Sequence, residues 1–340
     1  MSRWRTWNRR VAVALCCAGL SVPAFNLALD PFSVLGTAEY LPQSSRVNER
    51  FLKVQHLLEH PGHADSFILG ASTMGVFDPR FAARMTSGGR WYNLSFLGGT
   101  PVDALNALKV LRQHGHPIRQ VMYGIDIFPF RKLEASRDVW RQGHPEIRGE
   151  SALAYLTRFV FASSVSSGME RIAGSISPQP PRVRFDIKGT GRYELARWDN
   201  EIEIDHDAYM QRKFGAPNGE QTDAASGMTL IDARFAELAA LKQWLCEEKI
   251  AAHFWLNPMH HRTRERIDDS TMSAFRAKVR AAVGEVPDYT RRTDISRDDR
   301  MFYEYQHFRP VVAERITTEV LSRGSGDRPL ALRENPPSSL

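Results

Sequence analysis

Cysteine is scarce, with three in 340 residues. Cys16 and Cys17 sit in an apolar N-terminal run and Cys246 stands alone. The rest of the chain therefore has no disulfide framework and no cysteine spacing of the kind that holds a metal. A protein of this size does not need disulfides, so the scarcity does not exclude an exported location. Acidic residues are absent from residues 1–10, where Arg3, Arg5, Arg9 and Arg10 stand. Elsewhere there is little excess charge of either sign: the formal net charge of +6 falls to +2 once those four arginines are set aside. The basic balance belongs to the N-terminal flank, which argues against nucleic acid as a partner.

Charge is missing altogether from residues 11–29, nineteen residues that can span a bilayer core of ~30 Å. With the positive flank first, the positive-inside rule puts residues 1–10 in the cytoplasm and the rest across the membrane. Two readings stay open here, an uncleaved anchor and a cleaved signal, because Val22-Pro23-Ala24 has the small-residue pattern of a signal-peptidase site. A polar, proline-containing linker follows over residues 30–45, and the tail over residues 322–340 has the composition of a disordered segment.

What is present between these ends, over residues 46–321, is a repeated strand–helix rhythm. Apolar spacing predicts a helix over residues 47–60, then a short buried strand over residues 66–69. A short helix to Met85 follows, then a strand over residues 91–94, a helix over residues 101–114 and a strand over residues 120–127. The rhythm resumes with a helix over residues 230–248 and a strand over residues 251–256. It ends with a helix over residues 271–283, a short strand over residues 287–290 and a final helix over residues 311–321. Such alternation argues for an α/β fold, a three-layer sandwich around a central parallel sheet. Residues 131–225 break the pattern and read as an insertion: a helix over residues 152–172, a linker over residues 175–181 and a hairpin over residues 183–198. Long excursions in α/β folds shape sites, so this one is expected to cap the active edge of the sheet.

The stretch Ser66-Phe-Ile-Leu-Gly70-Ala-Ser72-Thr-Met-Gly75 is the one around which a site is expected. Three apolar residues end at Gly70, and Ser72 falls just past the C-terminal end of the strand, the edge where ligands bind in open α/β sheets. A serine there has backbone N–H groups beside its hydroxyl, which suits an acyl-transfer nucleophile; a helix N-cap is the structural alternative.

Four segments, in order, resemble those of the SGNH (GDSL-type) hydrolase superfamily. Gly70-Ala71-Ser72 resembles the block that carries the nucleophile. Asn93-Leu-Ser-Phe-Leu-Gly98 resembles the block whose glycine N–H joins the oxyanion hole, and Gly124-Ile-Asp126 falls where the family has Gly-x-Asn. Glu304-Tyr-Gln-His307 resembles the closing Asp-x-x-His. The matched residues cover about 65–130 and 300–310, leaving the middle uncovered. The resemblance implies a Ser72–His307–Glu304 triad, an oxyanion hole built from Ser72, Gly98 and position 126, and an SGNH/flavodoxin-like sheet. An N-terminal anchor before such a domain is similar to envelope proteins that O-acetylate exported polysaccharides. That implies a single-pass protein of the bacterial inner membrane with its C-terminal domain in the periplasm. The substrate would be an envelope polysaccharide or acyl ester, with a membrane acyltransferase as a possible partner and no cofactor.

Three departures from the pattern matter. Ala71 and Glu304 each replace an aspartate, and both are compatible with triad chemistry. Asp126 replaces an asparagine donor, and an ionised carboxylate facing an oxyanion would repel it. The expectation therefore divides. Asp126 is protonated, or turned away, or the site is weak or dead and the chain is an inert SGNH-fold protein that binds glycan or scaffolds a membrane acylation complex. Asn93 and His260 are candidate substrate contacts. His260-His261 lacks acidic ligands at a fitting spacing, so no metal is expected. Asp298 and Asp299 are expected on a solvated loop, either being an alternative partner for His307. Trp91, Trp198, Trp244 and Trp255 are expected in the core.

Overall fold

The computed structural model describes residues 2–86, 88–131, 138–177, 183–215 and 228–322. Helix α1 (Ser2–Leu29) takes in the arginine flank as well as the apolar run. Its Trp4–Leu29 stretch is long and apolar enough to span a membrane. Helix α2 (Glu49–Glu59) leads to β1 (Ser66–Gly70), then α3 (Pro79–Met85), β2 (Trp91–Asn93), α4 (Pro101–Gln113) and β3 (Gln120–Ile125). The excursion that follows holds α5 (Pro145–Arg148), α6 (Ala152–Val160) and α7 (Val165–Ile176). It continues through β4 (Arg184–Phe185), β5 (Tyr193–Glu194), α8 (Ala196–Ile204) and α9 (His206–Phe214). The last part comprises α10 (Asp232–Glu247), β6 (Ala251–Leu256), α11 (His261–Glu265), α12 (Asp269–Val283), α13 (Thr293–Ser296) and α14 (Pro310–Ser322).

Strands β1, β2, β3 and β6 form one parallel sheet in the order β2-β1-β3-β6. In register, Ser66 stands opposite Trp91 and Gln120, and Gln120 opposite Ala251, so the four strands end near one another at their C-terminal edge. The alternation of strand side chains sorts the core onto two faces. Phe67, Leu69, Val121, Tyr123 and Ile125 pack with apolar residues of α4, α10 and α12. Ile68, Met122, Trp91 and Trp255 face the other way, with residues of α3, α14 and the β4–β5 hairpin. Helices on both faces make the fold α/β and compatible with a three-layer sandwich. Helix starts are chemically marked: Thr100 and Asp103 form a reciprocal capping box on α4, and the Asp78 side chain caps α3.

Most element ends shift by a residue or two from the sequence expectation, and two elements differ in kind. The strand expected to reach residue 127 ends at Ile125, and α14 includes Ser322. The helix expected over residues 152–172 is two helices, α6 and α7, broken at residues 161–164. A remote residue satisfies the break: the Asn26 side chain of α1 donates to the carbonyls of Phe159, Val160 and Ala162, so the backbone of α6 is capped there. The strand expected over residues 287–290 is a single bridge, Leu256 to Asp288. Asp288 accepts from the Thr290 N–H and pairs with Arg276, which turns the chain into a 3₁₀ turn. The linker at residues 178–181 and the tail from residue 323 lie outside the described residues.

A candidate active site at the C-terminal edge of the sheet

Ser72 opens a 3₁₀ turn (Ser72–Val76) directly after β1. The turn is held from below by Asn93, whose amide donates to the carbonyls of Met74, Gly75 and Phe77 and whose oxygen accepts from the Ser95 N–H and hydroxyl. Asn93 is fully buried, so this candidate substrate contact is a clamp on the Ser72 turn.

His307 comes from the loop before α14, framed by buried Phe302, Tyr303, Tyr305 and Phe308. A bridge between Phe302 and Phe308, and the Tyr303 N–H donating to the His307 carbonyl at 2.8 Å, close this loop on itself. The His307 Nε2 lies 2.8 Å from the Ser72 Oγ, and its Nδ1 is paired with the Glu304 carboxylate. Burial pushes the Glu304 carboxyl up, but the imidazole's charge and hydrogen bonds from His307 and the Gln306 N–H hold it below the usual range. An ionised Glu304 accepts from Nδ1–H and leaves Nε2 as the acceptor facing the Ser72 hydroxyl. Neither alternative acid takes this place: Asp298 pairs with Arg300, and Asp299 bonds His260.

No family model matches this chain, and no curated protein matches it either. What the site can do therefore rests on its own geometry.

The loop that carries Gly98 lies beside the end of β1, with the Phe96 N–H donating to the Gly70 carbonyl at 3.1 Å. Gly98 itself is exposed with φ +61°, a left-handed conformation suited to glycine. Three charged side chains of α2 shape this loop. Glu49 accepts from the Leu97 N–H at 2.7 Å, Arg50 donates to the Leu97 carbonyl, and Lys53 donates to the Ser95 carbonyl at 2.6 Å. Lys53 is fully buried, and desolvation lowers its pKa to about 8 despite Glu49 beside it. Among the described residues, neither the Ser72 N–H nor the Gly98 N–H is taken by a protein acceptor.

Asp126 does not stand alone at the sheet edge. Thr73 donates to one oxygen at 2.5 Å and the Asn257 amide to the other at 3.2 Å. Desolvation raises its pKa to about 6, against the pull of those two bonds and of His307. Asn257, at the end of β6, is fixed in turn by Trp255 Nε1 at 2.6 Å and also reaches Thr73.

Tyr193 is the residue that sequence reasoning missed. It arrives on the β4–β5 hairpin, and its ring lies so close over Gly75 that a Cβ there would sit 1.5 Å from it. The hydroxyl is buried beside Ser72, yet no well-aligned hydrogen bond satisfies it. Burial holds the phenol well above its ordinary pKa, with Glu49, Asp126 and Glu304 acting in the same direction, so it stays a neutral donor. The available signal was Gly75 itself, a glycine in the Ser72 turn that leaves room for the Tyr193 ring.

His260 is fully buried among Phe214, Phe302 and Tyr305. Its Nε2 bonds Asp299 at 2.8 Å and its Nδ1 accepts from the Arg262 N–H. His260, His261 and Asp299 offer ligand-type atoms within 4.8 Å of one another, but His261 Nδ1 is also engaged, with the Ser296 carbonyl. His260 thus presents no surface to a substrate. Trp91, Trp198 and Trp255 are buried, and Trp244 is half-buried against the core.

Proposed function

We propose that this chain is a serine-dependent acyl-transfer enzyme, an esterase or O-acyltransferase of a cell-envelope glycan. In this reading α1 anchors it in the bacterial inner membrane and the catalytic domain faces the periplasm. The observation that carries the chemistry is the Ser72 hydroxyl 2.8 Å from His307 Nε2, with His307 Nδ1 on the ionised Glu304. The glycan and the envelope setting rest on the SGNH-like order of the blocks and on the apolar N-terminal helix.

The steps follow from the geometry. His307 Nε2 takes the Ser72 proton as Oγ attacks the acyl carbonyl carbon, and the Ser72 and Gly98 N–H groups receive the developing oxyanion. As the tetrahedral intermediate collapses, the C–O bond to the leaving alcohol breaks and the imidazolium protonates that alcohol. Water or a sugar hydroxyl then attacks the acyl-Ser72 ester and gives its proton to His307, and the imidazolium returns that proton to Ser72 Oγ as the acyl C–O bond breaks. Glu304 stays ionised throughout and holds the imidazole in one tautomer.

A second reading is favoured by Asp126, a carboxylate where a neutral donor would serve: an inert fold that scaffolds a membrane acyltransferase or binds glycan. Turnover of a small acetyl ester by the purified full chain separates the two. The enzyme reading expects activity that Ser72→Ala removes. Equal activity of wild type and Ser72→Ala, or none in either from pH 5 to 9, contradicts it.

A further inference from the structure

We propose that α6 and α7 form an apolar plate that rests in the outer face of the bilayer beside α1, fixing the height and tilt of the domain above the membrane. The inference rests on α1 being a membrane span.

Helix α7 is amphipathic the wrong way round for a helix in water. Its buried face is Ser167, Gly168 and Arg171, while Val165, Met169, Ile172 and Ile176, at helical spacing, point outward. Met169 is 51% exposed and Ile176 82% exposed, and Leu153 and Phe161 extend the apolar surface at either end of α6. The two charges of α7 turn away from this face. Glu170 bonds the Ser45 N–H and hydroxyl, and Arg171 is buried, donating to the carbonyls of Leu29, Asp30, Ala38, Leu41 and Pro42. A helix that buries Ser167 and Arg171 and turns Val165, Met169, Ile172 and Ile176 outward matches an apolar surrounding on that face.

The depth agrees. From just past Arg10, residues 11–29 of α1 rise ~28 Å at 1.5 Å per residue, close to the ~30 Å hydrocarbon core. The first part of this run is exposed, and burial begins at Pro23. Asn26 then bonds α6, and Phe25 lies against Gly168, where a Cβ would come within 2.5 Å of its ring. Residues 23–29 span ~10 Å, so the part of α1 that touches α6 and α7 occupies the outer ~10 Å of the core. Interfacial helices bury their apolar faces to about that depth. Backbone at such a depth has no water to bond. Asn26 answers that need, donating to the Phe159, Val160 and Ala162 carbonyls at 3.1, 2.9 and 2.8 Å where α6 ends, while its own oxygen pairs with Ser164.

The test uses the full chain in nanodiscs of phosphatidylethanolamine and phosphatidylglycerol, spin-labelled at one cysteine at a time. Labels go on Met169→Cys or Ile172→Cys, on Leu15→Cys in α1, and on the native, exposed Cys246 of α10, the other native cysteines being serine. The α7 side chains are outward, so a label does not disturb packing. Oxygen accessibility should exceed nickel-chelate accessibility at Met169, Ile172 and Leu15, and the order should reverse at Cys246. A lipid signature at Leu15 with a Cys246-like signature on α7 overturns the plate and leaves the anchor standing. Exclusion of both reagents from α7 overturns it in favour of a protein partner. A water signature at Leu15 defeats the anchor, and the plate with it.

Discussion

Replacing Asp126 by asparagine should make the protein both more stable and more active, by amounts that grow with pH. Burial pushes the folded carboxyl up from its ordinary 3.8 to about 6, so between these pH values the folded chain holds the proton more firmly than the unfolded one. Stability contributed by this group is therefore greatest below pH 4 and is lost as pH rises through about 6. The difference of about two pH units corresponds to ~3 kcal/mol at 1.36 kcal/mol per unit. Asparagine removes that penalty and keeps both partners: its oxygen accepts from Asn257, and its amide donates to the Thr73 oxygen. Thermal unfolding at pH 8 should then rise by roughly 5 °C over wild type, while the two proteins unfold together near pH 4. In the acyl-transfer reading a carboxyl of pKa about 6 is ~10% protonated at pH 7, so kcat/KM of the variant should exceed wild type about tenfold there and be nearly equal at pH 5. A variant that is less stable than wild type at pH 8, or an activity ratio flat across pH, refutes the reasoning.

Tyr193→Phe removes a buried hydroxyl with no well-aligned partner, so stability by denaturant titration should hold or rise by up to ~1 kcal/mol. If that hydroxyl donates at the reaction centre, kcat for an acetyl ester should nonetheless fall ~10²-fold with KM little changed. Glu304→Gln keeps the shape beside His307 but not the charge that fixes the tautomer, and kcat should drop by ~10³–10⁴-fold while Tm at pH 7 falls only modestly. Arg171→Met strands the carbonyls of Leu29, Asp30, Ala38, Leu41 and Pro42, and should cost about 3–5 kcal/mol of stability, seen as protease cleavage within residues 30–45.

Much of the fold was legible because its signals are local. The apolar runs of β1, β3 and β6 and the helix spacings of α4, α10 and α12 are each written in contiguous residues. Ser72, His307 and Glu304 could be named from the order of short blocks, and the structure places them in contact. The illegible parts depend on remote chain segments. The end of α6 is capped by Asn26 of α1, a partner that nothing within residues 152–172 announces. Tyr193 reaches Ser72 on a hairpin over a hundred residues downstream, and its burial depends on Gly75. The partners of Asp126 come from two strand ends, Thr73 after β1 and Asn257 after β6, a pairing set by the sheet order. His260, which follows a strand on the active edge, is sealed off by Phe214 stacked on its ring, a contact from an excursion whose packing sequence could not place.

The central claim is that Ser72 is a nucleophile. The most direct measurement is intact and peptide mass spectrometry of the full chain after treatment with a fluorophosphonate, beside Ser72→Ala and Glu304→Gln. A single phosphonyl adduct on the peptide containing Ser72, lost in Ser72→Ala and formed far more slowly in Glu304→Gln, is the predicted result. An unmodified Ser72 after prolonged exposure, or adducts at the same rate on Ser72→Ala, would contradict it.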